Sequence, residues 1–98
     1  MKRKKIGQIG VDAGMVMIGD PCYHLHAEER YRSPKFGTSW NGFCASLGDG
    51  LSSQIDKSLA VVVQAGFGDG LYDVYADIED YGDLGERIKA VHVILIED

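Results

Sequence analysis

The feature that most limits what this chain can become is the spacing of its glycines. Thirteen of its 98 residues are glycine, set between short runs of β-branched, aromatic and other apolar residues, and no apolar stripe at helical spacing lasts beyond a turn or two. Such punctuation favours strands joined by tight turns. Residues 71–78 carry the signal best: Tyr72, Val74, Ala76 and Ile78 share one face of an extended chain, while Asp73, Tyr75, Asp77 and Glu79 share the other. One face is therefore expected to be packed and the other wet. Residues 59–65 form a β-branched run, Gly66-Phe67-Gly68-Asp69-Gly70 forms a turn, and residues 87–97 are apolar on both faces from Ala90 to Ile96. These three runs predict a C-terminal three-stranded meander.

Upstream, Ile6, Ile9 and Val11 stop at Asp12-Ala13-Gly14 and are followed by Met15-Val16-Met17-Ile18, which predicts a hairpin. Gly19-Asp20-Pro21 ends its second strand, because proline has no N–H to give to a ladder. Residues 43–47 predict a further short strand, and the polar stretches 27–41 and 51–57 predict loops. The fold class implied is mainly β, a small antiparallel sandwich or partly open barrel.

Charge divides the chain at its start. The net charge is −5, yet Lys2, Arg3, Lys4 and Lys5 are four of the ten basic residues, leaving six basic against fifteen acidic side chains, or −9, for the remainder. Residues 1–5 are expected to be a basic flexible tail and residues 6–98 a single β-rich domain. Duplex nucleic acid is excluded as the main partner, since it needs clustered cations over a broad surface. No run approaches the ~20 apolar residues that span a bilayer, and the basic start lacks the apolar segment of a secretory signal. Two cysteines, Cys22 and Cys44, are expected to stay reduced in the cytoplasm.

Three motifs occur in succession: Val11-Asp12-Ala13-Gly14, Gly19-Asp20-Pro21-Cys22-Tyr23, and Gly66-Phe67-Gly68-Asp69-Gly70-Leu71-Tyr72-Asp73-Val74. This order resembles that of a family of small uncharacterised bacterial and phage proteins marked by V-D-x-G, G-D-P-C-Y and G-x-G-D-G-x-Y-x-V. The resemblance implies a mainly β, intracellular protein of bacterial or phage origin and suggests a host protein as partner, whereas the uncovered edges of a small β domain suggest a second copy of the chain. The resemblance carries no activity.

No set of residues makes a convincing catalytic centre. Asp20 and Asp69 close two motif-bearing turns, where carboxylates serve either divalent ions or backbone N–H groups. Pairing of residues 15–18 near 71–76 would gather Asp20, Cys22, Tyr23, Gly68, Asp69, Gly70 and Tyr72 at one sheet end as a ligand site, with a small nucleotide-like molecule as the alternative ligand. Cys22, His24 and His26 alternate as same-face residues of a strand do and are the candidate metal ligands, with Cys44 or His92 as a fourth. The commoner outcome for such residues is aspartates capping their own turns and a structural cysteine, so no cofactor is expected. His92 lies between Val91 and Val93 and is expected to be buried and hydrogen-bonded. The function these features imply is a non-enzymatic binding module, with a phage-type host-directed protein that sequesters a nucleotide-like small molecule, or a small metal- or thiol-dependent enzyme, as the alternatives.

Overall fold

The computed structural model describes residues 1–22, 43–45, 47–55 and 58–97. It is mainly β, as the glycine spacing implies, and is built from two small antiparallel sheets that do not close into a barrel. The strands are β1 (Lys2–Val11), β2 (Met15–Gly19), β3 (Ser52–Ile55), β4 (Ala60–Gln64), β5 (Gly70–Asp80) and β6 (Glu86–Val93). The first sheet has the order β1-β5-β6 and the second β2-β4-β3. The chain divides into two compact units, Met1–Gly14 with Ala65–Asp98, and Met15–Gln64. The second unit is inserted in sequence between β1 and β5.

Several local expectations are corrected by the pairing. The hairpin expected of β1 and β2 does not form, because β1 pairs with β5 and β2 pairs with β4. Gly14 does turn with positive φ, but its turn hands the chain from one sheet to the other. The C-terminal meander survives only as the β5–β6 hairpin: its third strand is β1, while β4 lies between β2 and β3. Residues 52–55, expected to be loop, form β3, whose Ile55 fills the core of the second unit with Ala60 and Val62. Residues 43–45 are helical rather than extended, and Phe43 and Leu47 pack against that same core. A half-buried apolar run fits one turn of helix as well as a strand, and only its packing partner decides.

The largest correction concerns the N-terminus. Lys2, Arg3, Lys4 and Lys5 are no flexible tail; they are the first half of β1, opposite Ile78, Asp77, Ala76 and Tyr75. Four adjacent cations tolerate a strand here because neighbouring acids meet three of them: Asp77 stands opposite Arg3, Asp73 on β5 pairs with Lys5, and Glu86 on β6 pairs with Lys2. Both outer strands of the first sheet carry a bulge, with Ile6 the extra residue in β1 and Lys89 in β6. Bulges and lysines are common at strand edges, where they discourage indiscriminate pairing.

Candidate functional site

Within the first unit the register of β1, β5 and β6 sorts side chains onto two faces. Ile9, Tyr72, Val74, Ala76, Ile78, Val91 and Val93 share one, with Lys2 and Lys4 at its β1 margin. Arg3, Lys5, Gln8, Asp73, Tyr75, Asp77, Glu79 and His92 share the other. The alternation read from 71–78 therefore holds on β5. The polar face is not simply wet, however, since Asp77 is 5% exposed. A carboxylate withdrawn from water must be repaid in ion pairs and hydrogen bonds, and three strands supply them.

Arg3 donates from Nε to Asp77 Oδ1 at 2.7 Å and from Nη2 to Asp77 Oδ2 at 3.2 Å, while His92 Nε2 lies 2.8 Å from the same Oδ2. The Arg3 guanidinium first, and the His92 contact second, hold the Asp77 carboxyl far below the usual carboxylate range. Arg3 Nη2 also lies 3.1 Å from His92 Nε2. One ring nitrogen cannot both accept from a guanidinium and donate to a carboxylate. At 2.8 Å an unprotonated Nε2 would set its lone pair against an anionic oxygen, so Nε2 carries the proton and Asp77 receives it. His92 is accordingly half-buried and tied to a carboxylate, not the enclosed core histidine expected from its valine neighbours.

Next along the face, Gln8 Nε2 donates to Asp73 Oδ1 at 3.0 Å and Lys5 Nζ lies 3.1 Å from that oxygen, which lowers the Asp73 pKa through both contacts. The chain's amino terminus pairs with Glu79 at 2.9 Å and lowers its pKa in the same way. Lys2 pairs more loosely with Glu86 at 3.4 Å. The cations of β1 are thus largely spent on the sheet itself and offer little to an external anion. Nothing in the sequence joins Arg3 to Asp77 directly, because their link is a strand register between residues 74 apart. The acids at 73, 77 and 79, matched to the alternate cations at 3 and 5, were the available signal.

The expected site residues distribute differently. Asp20 Oδ1 accepts from the Cys22 N–H at 2.8 Å, an Asx cap on its own turn, and Cys22 is exposed. Tyr23, His24 and His26, and with them the Cys22-His24-His26 metal reading, lie outside the described residues. Among the described residues no three His, Cys, Asp or Glu side chains are arranged to hold a metal ion. Asp69 does not cap its own turn. Its Oδ1 accepts from the Gly14 N–H at 2.7 Å, binding the turn after β1 to the one before β5. Tyr72 donates its hydroxyl to the Gly68 carbonyl, and the Ala65 carbonyl lies 3.4 Å away. Gly68, Asp69, Gly70 and Tyr72 therefore belong to one hydrogen-bonded knot. The strand pairing meant to bring Asp20 to them is absent, since β2 pairs with β4 and not with β5.

Beside that knot an open cleft of about 300 Å³ is lined by Gln8, Tyr72, Asp73 and Glu97 together with Leu71, Ile94 and Leu95. Two of its walls are carboxylates and none of its lining residues is a cation. That chemistry opposes the phosphate of a nucleotide-like ligand. The chain matches no known protein family, no curated protein and no solved structure.

Proposed function

We propose that this chain is a non-enzymatic binding module that works as a homo-oligomer, associating through the first sheet. The observation that carries the reading is the apolar surface of β6: Ile88 and Val91 are 60% and 57% exposed, although they continue the same sheet face as the fully buried Ala76. Apolar side chains held in water beside a packed strand are common where proteins meet. A second copy is favoured over a host protein because β6 is an outer strand and small β-sheets are stabilised when their edges are covered. The polar face supports the same reading from the other side. Among the described residues its ionic groups pair with one another, Arg3 with Asp77, Lys5 with Asp73 and the amino terminus with Glu79. No described helix is long and apolar enough to cross a membrane, and a cytoplasmic setting with reduced thiols is part of this proposal.

Static light scattering across a concentration series tests it. The expected result is a mass that rises to a dimer or higher oligomer, with Val91→Lys shifting the species toward monomer. A wild-type protein that remains monomeric at every concentration would overturn the reading.

A further inference from the structure

A strand at the margin of a sheet leaves a row of backbone N–H and C=O groups open to a further strand. Among the described strands β1 and β6 are outermost in the first sheet, β2 and β3 in the second, and their side chains differ in what they ask of a neighbour. Neither β2 nor β3 contains a charged residue that could select one. In β1 the cations fill positions 2–5, where no side chain is apolar, and three of the four are paired, Lys2 with Glu86, Arg3 with Asp77 and Lys5 with Asp73. In β6 the two kinds of residue are interleaved. Arg87 and Lys89 flank the exposed Ile88, the exposed Val91 follows, and among the described residues neither cation enters an ion pair.

The inner edge of β6 shows which chemistry it pairs with. Its neighbour there, β5, alternates apolar and acidic residues: Ile78 stands opposite Ile88, Glu79 opposite Arg87, and Asp77 receives His92. Side chains of a strand project above and below the sheet, so a strand laid along the outer edge meets the same ones from the other side. Ile88 and Val91, opposite Ile78 and Ala76, ask for apolar residues on one face. Arg87 and Lys89 ask for carboxylates, because Glu79 is taken by the amino terminus and Glu86 by Lys2. The charge left uncompensated along β6 is therefore positive, although the whole chain carries −5. We infer that the outer edge of β6 receives an extended segment of another protein in which apolar and acidic residues alternate, added to the first sheet as a further strand. Lys89, the extra residue of the bulge, then both discourages indiscriminate pairing and selects an acidic partner. This binding goes beyond the proposed self-association, with which it competes for the same edge.

Labelled, end-capped peptides as long as β6 test it by fluorescence anisotropy: one of alternating valine and glutamate, one of valine and lysine, and one of serine and glutamate. The wild type is expected to bind the valine–glutamate peptide most tightly, although an acidic chain attracts the lysine peptide in general, and to show slower amide hydrogen exchange within β6 in the complex. Arg87→Glu combined with Lys89→Glu is expected to weaken that binding roughly tenfold or more and to strengthen binding of the valine–lysine peptide, a gain that an unfolded variant could not show. Lys4→Glu, a charge reversal at the other edge of the sheet, is expected to leave the preference for glutamate in place. Equal affinity for the two charged valine peptides, a preference that survives the double substitution, or one that Lys4→Glu removes as well, would overturn the inference. A wild type that is monomeric yet prefers the valine–glutamate peptide removes self-association and supports the strand addition; an oligomer that binds none of the peptides does the reverse.

Discussion

Asp77 is the residue on which the polar face of the first sheet depends. It is nearly enclosed, and it accepts from β1 through Arg3 and from β6 through His92, so a single carboxylate joins all three strands. Its folded pKa lies below the unfolded carboxyl value of about 3.9. The sign of the linkage follows: the stability it contributes is complete above that unfolded value and is lost as pH falls through the lower, folded one. Asp73 and Glu79 act in the same direction for the same reason. Asp77→Asn is therefore expected to be less stable than the wild type at neutral pH, because Arg3 loses its carboxylate. It is also expected to lose less of its remaining stability between about pH 5 and pH 2. Urea denaturation at a series of pH values reads both effects, and parallel curves for the two proteins would show that Asp77 is not the group responsible.

At the scale of elements, the turn before β5 is held from two sides. Asp69 reaches back to Gly14, and Gly66 lies against the segment after β6. Gly66 has φ +40°, and a Cβ there would collide with the Leu95 carbonyl oxygen and press on Ile96 Cγ1. Gly7, within β1, has nothing within 4 Å of such an atom and no positive φ. Gly66→Ala is expected to cost more than about 1 kcal/mol, whereas Gly7→Ala is expected to be neutral or to stabilise by up to about 1 kcal/mol through the unfolded chain. Thermal denaturation of the pair measures the contrast, and equal losses would argue that the Gly66 turn has room to relax. These two glycines also mark the limit of what the sequence could convey. Glycine spacing and alternation disclosed that β4, β5 and β6 exist and which face of β5 is polar, since both are local properties of the chain. Pairing was illegible wherever it joined distant segments. Nothing local to β1 announces β5 as its neighbour, and β3, a four-residue stretch with two serines, carries too little apolar signal to be told from a loop. The aspartates at 20 and 69 were recognisable as turn residues, but the particular N–H that Asp69 would meet depended on the fold around it.

For the whole molecule, the basic segment at the start gives the sharpest distinction between a charge read from composition and a strand read from structure. As a solvated tail, residues 1–5 could be removed without consequence. As half of β1 they supply the ladder opposite Tyr75, Ala76, Asp77 and Ile78, the guanidinium that compensates Asp77, and the ammonium at Asp73. Their loss would also leave an acidic chain with a net charge of −9 to repel itself. Deletion of residues 2–5 is therefore expected to lower the thermal midpoint clearly, since even about 1 kcal/mol shifts a domain of this size by ~4–8 °C. Salt separates the causes. Exposed pairs such as Lys2 with Glu86, and the general self-repulsion, are screened when the Debye length falls to about 3 Å near 1 M. The backbone ladder is screened far less, and the Arg3–Asp77 contact, with Asp77 buried and Arg3 half exposed, is screened less than the exposed pairs. The deletion is thus expected to remain destabilising at about 1 M sodium chloride, by more than half of its low-salt effect. If high salt abolished the difference, the four cations would matter only as charge, and the β1–β5 register at residues 2–5 would not contribute to folding.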